Sequence, residues 1–237
     1  GLAGDALTDA DFNTAIGHLA LSSDTLGSRS TAIGMNTLRD QNFTSATETY
    51  NVAVGHGAGL LVTTGVKNTF LGGLAGDATT DADENVAIGY DSLGTNILGG
   101  ASVAVGASAL RTQNPASAVT MYNTAVGHFA GYAVTTGIQN TFVGGLAGDS
   151  LTDGSFNTAL GLATLSTDTR GSHSVAVGAG ALNEQNFTSA TDAYNTAVGR
   201  LAGQKVTTGI QNTLIGGLAG DALQDADYNT AIGFQSL

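Results

Sequence analysis

The chain of 237 residues contains no cysteine, no tryptophan and a single proline. The absence of cysteine excludes a disulfide scaffold and a thiolate metal centre. The single proline excludes a collagen triple helix, and no apolar run approaches the roughly 18 residues of a membrane-spanning helix. Charged residues make up only 11% and apolar residues 42% of the chain, a composition that does not fit an intrinsically disordered protein.

Basic side chains are also scarce. Seven Lys and Arg residues stand against 19 Asp and Glu residues, which gives a formal net charge of −12. A chain this acidic is repelled by nucleic acid and by anionic membranes. We therefore expect no nucleic-acid partner and no membrane insertion of this segment. We also expect no cofactor, because the glycine-rich stretches contain neither GxGxxG nor a P-loop lysine.

Glycine, by contrast, is abundant, and it marks a repeat. The segment GLAGD begins at residues 1, 73, 145 and 217, and VTTG begins at residues 62, 134 and 206. Both segments therefore recur at the same constant interval, which defines a super-repeat. We predict one repeat array over residues 1–237, with super-repeats beginning at 1, 73, 145 and 217 and the last incomplete. Since both ends fall in the same phase of the repeat, we expect a piece of a longer array.

A five-residue motif, [NS]-[TV]-[AFL]-[IVL]-G, occurs 13 times along the chain. Successive motifs divide each super-repeat into four rungs, of which three have seventeen residues and one, the long rung, has four more. Seventeen residues are too few for the helix pair of a helical repeat, but they fit one coil with two short strands and two turns. The motif is rich in β-forming residues and ends on a glycine that tolerates positive φ. The sequence predicts an all-β, parallel β-solenoid of 13 rungs.

Positions 3 and 4 of the motif are both apolar, although neighbouring side chains of a strand face opposite sides. Strands that are apolar on both faces are usually covered on both. We predict that Ile, Val or Leu at position 4 fills the coil and that position 3 forms a seam between copies of the chain; the alternative is one wide coil with a thin second layer. The predicted seam residues are Ala15, Ala32, Ala53, Phe70, Ala87, Ala104, Ala125, Phe142, Ala159, Ala176, Ala197, Leu214 and Ala231.

With 13 such motifs, as in Asn195 to Gly199 followed by VTTG from Val206, the chain resembles the NTAIG/TTG repeats of phage tail-fibre-like proteins. It is also similar to the heads of YadA-like trimeric autotransporter adhesins. The resemblance implies a left-handed β-roll, a side-by-side homotrimer and neighbouring fibre segments. It further implies an extracellular location, on a virion tail fibre or a bacterial cell surface. Adhesin rungs are usually shorter and lack this super-repeat, so the class of the parent protein stays open.

The four extra residues of the long rung are expected to bulge from the coil as a loop. Loops on rigid scaffolds often carry function, and the Asn, Phe and Tyr side chains of this loop suit a surface glycan or another host receptor. The alternative is a loop that packs on a neighbouring chain or binds nothing. The candidate binding residues are Asn42, Phe43, Tyr50, Tyr122, Asn186, Phe187 and Tyr194.

Acidic turns recur with the super-repeat, and Asp77, Asp81 and Asp83 are weak candidates for Ca²⁺, which prefers six to eight oxygen ligands. The spacing matches neither an EF-hand nor the glycine-rich repeat of calcium β-rolls. Aspartate that bonds local backbone N–H groups in a turn explains the same pattern. No histidine has a recurring partner, so we predict no catalytic residue and no metal site.

These patterns predict a structural segment of an extracellular trimeric fibre, used for attachment and without catalysis. Two alternatives remain. An ice-binding solenoid would present Thr ladders at position 2, but valine interrupts them at Val52, Val86, Val103 and Val175. A tailspike-type enzyme that degrades polysaccharide would need paired acids in a groove that is built once, whereas these acids recur in near-copies.

Overall fold

A computed structural model describes all 237 residues, which divide into two compact units, Gly1–Met121 and Tyr122–Leu237. The chain forms strands, turns and bends but no helix, so no helix of the structure could cross a membrane. The predicted all-β, parallel β-solenoid is confirmed, with six of the 13 rungs in the first unit and seven in the second. The prediction of a single array over residues 1–237 stays a prediction.

Each motif forms a three-residue main strand from position 2 to position 4. In each unit, a main strand pairs in parallel with that of the next rung, and the register joins equal motif positions, as with Phe70 and Ala87. In the first unit the main strands are β1 (Thr14–Ile16), β3 (Thr31–Ile33), β5 (Val52–Val54), β6 (Thr69–Leu71), β7 (Val86–Ile88) and β9 (Val103–Val105). In the second unit they are β11 (Thr124–Val126), β12 (Thr141–Val143), β13 (Thr158–Leu160), β15 (Val175–Val177), β17 (Thr196–Val198), β18 (Thr213–Ile215) and β19 (Thr230–Ile232).

Six shorter strands form parallel pairs beside the long rungs. Each pair joins the turn before such a rung to the end of the inserted loop, and so ties the loop to the coil. The pairs are β2 (Gly27–Ser28) with β4 (Thr47–Glu48), β8 (Gly99–Gly100) with β10 (Val119–Thr120), and β14 (Gly171–Ser172) with β16 (Thr191–Asp192).

The coil interior is filled by motif position 3 together with the residue four places after the motif glycine. That second position holds a fully buried leucine in some rungs, such as Leu38 and Leu93. Around Phe70, both neighbouring copies of that position are glycine, Gly59 and Gly76. A Cβ added to Gly59 would lie 2.9 Å from a ring carbon of Phe70. The phenylalanine therefore fills the volume that leucines fill elsewhere, as close packing requires.

The predicted assignment of the two strand faces is wrong. Position 3, predicted to form a seam between chains, lies inside the coil, and position 4, predicted to fill the coil, lies outside. The reason is strand parity, because the buried Asn or Ser at position 1 shares its side of the strand with position 3. The first seam residue, Ala15, is half-buried, and the others are buried inside one chain: Ala32, Ala53, Phe70, Ala87, Ala104, Ala125, Phe142, Ala159, Ala176, Ala197, Leu214 and Ala231.

Asparagine at position 1 connects successive rungs inside the coil. The Nδ2 of Asn68 donates to the carbonyl oxygen of Ala82 at 2.8 Å, and its Oδ1 accepts from the backbone N–H of Asn85 at 2.9 Å. Asn140 in the second unit makes the same two bonds, to Gly154 and Asn157. Buried backbone groups need partners, and these amides supply them where the turn leaves a donor and an acceptor unpaired.

The long rungs begin with serine instead of asparagine, and a glutamine from the inserted loop replaces the missing amide. The Nε2 of Gln185 donates to the Oγ of Ser174 at 3.1 Å and to the Oδ2 of Asp168 at 2.6 Å. Its Oε1 accepts from the Nδ2 of Asn195 at 2.8 Å. All four side chains are fully buried. The inserted loop thus has a structural role, since it brings this amide into the coil.

Replacing the motif glycine Gly72 with alanine is expected to destabilise the protein by about 2–3 kcal/mol, because its backbone conformation is close to one that only glycine adopts. Its φ is 138°, and an added Cβ would lie 2.6 Å from the carbonyl oxygen of Gly89. The next residue, Gly73, has an ordinary φ, and its Cβ would meet the Tyr90 ring at 3.7 Å. Thermal unfolding should show a large loss of Tm for Gly72→Ala and little change for Gly73→Ala; equal losses would contradict this.

Candidate functional site

The outer side of the main strands forms an uncharged surface in each unit, with a column of Thr or Val at motif position 2 beside an apolar column of Ile, Val or Leu at position 4. We name this surface, made of motif positions 2 and 4, the sheet face. In all 13 rungs these two positions hold only Thr, Val, Ile or Leu, so the sheet face carries no charge. Side chains within the sheet remain well exposed, with Ile88 at 37%, Leu160 at 36% and Ile215 at 39%. Parallel in-register pairing places like positions above one another, which makes each column continuous through its unit.

In four rungs the residue after the motif glycine is a further large apolar side chain, whereas in the others it is Gly, Ala, His or Arg. Met35, Tyr90, Leu162 and Phe234 are exposed at this position. An extended apolar patch on a protein surface marks an interaction site more often than isolated apolar side chains do. The position-4 column of the sheet face is therefore a candidate contact surface.

Two of the candidate loop residues are not available for binding. Phe43 and Phe187, predicted to protrude, are buried, with 6% and 5% exposure. The backbone N–H of Phe187 donates to the Oδ1 of Asp168 at 3.2 Å, and that of Phe43 faces Asp24 in the same way. These rings anchor the loop by packing on the coil, as at Gly171, where an added Cβ would lie 2.9 Å from a ring carbon of Phe187.

The two loop asparagines that precede these rings bond to the neighbouring rung. The Oδ1 of Asn42 accepts from the hydroxyl of Thr25 at 3.1 Å, and that of Asn186 accepts from Thr169 at 3.2 Å. Asn42 is exposed and Asn186 is half-buried. Both amides therefore hold the loop in place while the faces turned to solvent stay open to a partner.

The candidate tyrosines are exposed, and in each unit they belong to a column of residues that the sequence did not indicate. We name such a column, formed within a unit by the residue just before each motif, the outer ladder. Tyr50, Tyr122 and Tyr194 lie on it and are about half exposed. In the second unit, the His173 ring stacks between Phe156 and Tyr194, with centroid distances of 4.8 Å on each side.

The first unit has the equivalent arrangement with arginine in the middle. The guanidinium carbon of Arg29 lies 4.9 Å from the ring centre of Phe12 and 5.8 Å from that of Tyr50. Such cation–π contacts hold the arginine against the rings. The outer ladder thus contains an aromatic–cation–aromatic cluster at residues 12, 29 and 50 and an equivalent one, with histidine in the middle, at 156, 173 and 194.

A carboxylate lies beside the middle residue of each cluster. Glu48 accepts from the hydroxyl of Tyr50 at 2.7 Å and from the Nε of Arg29 at 3.0 Å. The bond from Tyr50, and then that from Arg29, lowers the pKa of Glu48, while Glu48 raises the pKa of Tyr50. In the second cluster, Asp192 Oδ1 lies 3.2 Å from His173 Nδ1. Both carboxylates also belong to the short strands that tie down the inserted loop.

An open groove of about 230 Å³ adjoins the first cluster. Its lining combines an aromatic ring, a guanidinium, two carboxylates, two hydroxyls and a methyl group, from Asp11, Phe12, Ser28, Arg29, Ala46, Thr47 and Glu48. Sequence reasoning missed Phe12, Arg29 and Glu48. The recurrence of Phe, a basic residue, an acid and Tyr at equivalent places two super-repeats later was the signal that could have found them.

The three calcium candidates take part in different contacts. The Oδ1 of Asp81 accepts from the hydroxyls of Thr63 and Thr64, and the Oδ1 of Asp83 accepts from the backbone N–H of Val66 at 2.8 Å. Asp77 is half-buried, with an Oδ1 that has no partner. No group of three or more His, Cys, Asp or Glu side chains in the chain is arranged to hold a metal ion. The contacts at Asp81 and Asp83 are those of turn-stabilising side chains.

Asp149 occupies the equivalent place to Asp77 one super-repeat later, and replacing it with asparagine is expected to raise Tm at neutral pH by a few degrees. Burial raises the pKa of Asp149 above 3.8, and its Oδ1 has no partner. A carboxyl with a raised pKa favours the folded state at pH below its unfolded value, and this advantage is lost as pH rises through the folded value. The gain from Asp149→Asn should therefore shrink as pH falls toward 4 in thermal unfolding.

The control for this prediction is Asp225→Asn, because Asp225 is an exposed turn aspartate with no such burial. Its replacement should leave Tm within about 1 °C at pH 7, as expected for an exposed surface position. A lower Tm for Asp149→Asn at pH 7, or a gain that grows on acidification, would contradict the role given to burial.

Comparison with protein-family models, with curated proteins and with solved structures finds no match to this chain. The sheet face and the outer ladder are accordingly the two features from which a function can be argued. The first is an uncharged surface with a continuous aliphatic column in each unit, and the second is a polar and aromatic surface beside the inserted loops.

Proposed function

We propose that the chain is a structural segment of an extracellular fibre, in which copies associate through their sheet faces, and that the fibre serves attachment to a host or another surface. The observation that carries this proposal is the sheet face, which is uncharged in every rung and exposed in a single chain. The resemblance to phage tail-fibre and YadA-like repeats gives the expected number of copies, three side by side. It also gives the expected location, a virion tail fibre or a bacterial cell surface.

Association through the sheet face is favoured because apolar area would leave water at every rung. Burial of apolar surface contributes about 25 cal/mol per Å², and obligate interfaces resemble a domain core cut in two. The sheet face suits a second copy of the same chain, because both copies repeat the same columns at the same spacing. Side chains such as Leu160 and Ile215 would then meet the same residue types on the partner.

The rest of the fold supports a mechanical role. Within each unit, bonds between rungs run through main strands, turns and the buried asparagine and glutamine amides, so neighbouring rungs of a unit are held together inside as well as at their surface. Repeat proteins of this kind gain stability from contacts between neighbouring units. A stack held in this way can present the loops of its long rungs without a catalytic group.

A cross-linking experiment tests this proposal, because the chain has no cysteine of its own. Val143→Cys places one thiol on the sheet face, and Gln139→Cys places one on the outer ladder. With a short bismaleimide at low protein concentration, we expect covalent pairs of chains for Val143→Cys and single chains for Gln139→Cys. Equal cross-linking of the two variants, or none at position 143, would overturn association through the sheet face.

A further inference from the structure

We propose that the groove lined by Phe12, Arg29 and Glu48 is a binding site for a neutral saccharide, and that Phe156, His173 and Asp192 form a second site of the same kind. The inference names a ligand class for the proposed attachment role and rests on that role for its biological meaning. The binding itself requires only a folded chain. Nothing in the sheet face takes part, since the two surfaces share no residue.

The groove contains the groups that recognise a sugar. A sugar ring has an apolar face of C–H groups and a rim of hydroxyls, and binding sites generally combine aromatic surface with a few placed polar groups. Phe12 and Phe156 offer the aromatic rings, and Phe156, which has a rung on each side, keeps 43% exposure. Glu48 and Asp11 can accept from hydroxyls, and Arg29 has N–H groups that can donate.

The aromatic and polar groups of the first site are held in place before any ligand arrives. Arg29 is fixed by Glu48 and by the Phe12 and Tyr50 rings, and Glu48 is fixed in turn by the Tyr50 hydroxyl. Below them, the backbone N–H of Arg29 donates to the carbonyl oxygen of Asp11 at 3.0 Å. A site that is ordered in advance loses less conformational entropy on binding.

The charge of the groove selects against acidic sugars. Its ionic groups are Asp11, Arg29 and Glu48, so one positive charge stands against two negative ones. The only cation is already paired with Glu48, and the chain as a whole carries −12. An anionic ligand such as a sialylated or uronic-acid glycan would be repelled. Neutral hexoses and N-acetylhexosamines fit this lining.

The second super-repeat lacks the site although the scaffold is the same. At the places of Phe12, Arg29 and Glu48 it has Glu84, Ala101 and Thr120. The third super-repeat restores the aromatic ring, a nitrogen-bearing ring and the acid at Phe156, His173 and Asp192. These side chains are therefore not needed to build the rung, since a rung forms without them. Binding of a ligand would explain why they recur in the first and third super-repeats.

The same comparison supplies a test variant that the fold already accepts. The overwritten chain carries Phe12→Glu, Arg29→Ala and Glu48→Thr together with Phe156→Glu, His173→Ala and Asp192→Thr. Every new residue is the one that the second super-repeat has at that place. Circular dichroism and solution mass, measured beside the unmodified chain, serve as controls, and we expect both to be unchanged in this variant.

The probes are maltotriose, chitotriose and globotriose as neutral saccharides, with 3′-sialyllactose and trigalacturonate as acidic ones. By saturation-transfer NMR and calorimetry, we expect at least one neutral probe to bind the unmodified chain, with about two sites per chain, and the acidic probes not to bind. In the overwritten chain we expect affinity to fall at least about tenfold, since aromatic anchors dominate such sites. Absence of binding by every neutral probe, preference for an acidic probe, or unchanged binding by the overwritten chain would each overturn the proposal.

The outcome is separable from that of the proposed fibre role. A chain that assembles but binds no neutral saccharide would overturn the ligand site and leave association through the sheet face standing. A chain that stays monomeric but binds a neutral saccharide would overturn association through the sheet face and leave the ligand site standing.

Discussion

Replacing Leu160 with lysine is expected to turn the assembled protein into single chains. Leu160 lies on the sheet face, and both Thr158 on its own strand and its register partner Val177 are uncharged. In an assembly joined through this face, each copy would bury an ammonium group without a partner. An uncompensated buried charge costs about 3–5 kcal/mol, and that cost recurs in every copy. Light scattering of Leu160→Lys should give the mass of one chain under conditions where the unmodified protein is assembled.

The matched control is Gln139→Lys, which places the same charge on the outer ladder. One super-repeat earlier, that position is already lysine, Lys67. This variant should fold and assemble like the unmodified chain. If Leu160→Lys also kept its full assembled mass, or if both lysine variants dissociated alike, the sheet face would not be the contact between chains.

Replacing Gln185 with leucine is expected to cause the largest loss of stability of a single chain. Leucine has nearly the size of glutamine, but it removes the donor to Asp168 and Ser174 and the acceptor for Asn195. Each buried group left without a partner costs about 1–3 kcal/mol, and more when it is charged. We expect a total of about 3–5 kcal/mol, seen in thermal unfolding as a fall in Tm of about 10 °C or more.

Two further variants show whether that loss comes from the buried amide. Glu184→Gln changes the exposed neighbour and should alter the unfolding free energy by no more than about 0.5 kcal/mol. Asp168→Asn keeps the shape and most bonds, and the second super-repeat already has Asn96 at this place, so we expect a smaller loss than for Gln185→Leu. A loss for Gln185→Leu no larger than that for Glu184→Gln would contradict the role of the amide.

The repeat made the fold predictable from the sequence alone. The regular spacing of the motifs sets the length of one coil, and the β-forming motif with its final glycine sets where the strand begins and ends. Because the motif recurs 13 times, the fold prediction does not depend on any single copy, which could match the pattern by chance. The parallel register follows directly, since equal motif positions must stack if successive coils have nearly the same length.

Hydrophobicity could not predict which side of the main strand points into the coil, because motif positions 3 and 4 are both apolar. Two sequence signals do distinguish them. Asparagine at position 1 is best explained by bonds inside the coil, which places position 3 inside as well. The second signal is volume, since the large Phe70 and Phe142 occur only where the nearby turn positions are glycine, as at Gly76 and Gly148.

The binding surface was only partly predictable for a related reason. The loop was expected to protrude because it adds four residues to a coil, yet Gln41 and Phe43 of that loop point inward. The length of the inserted loop does not show that the buried serine at motif position 1 of the long rung needs a side-chain amide as its hydrogen-bond partner. The exposed tyrosines were identified correctly as surface residues, but their neighbours in the outer ladder come from adjacent rungs, a full coil away along the chain. Only the stacking of rungs brings these side chains together.

The solution mass of the unmodified protein shows whether copies of this chain associate through the sheet face. By light scattering coupled to gel filtration, we expect a mass near three times the 23.5 kDa of one chain, with no dissociation at micromolar concentration. A folded protein with a mass of 23.5 kDa over the same range would overturn association through the sheet face.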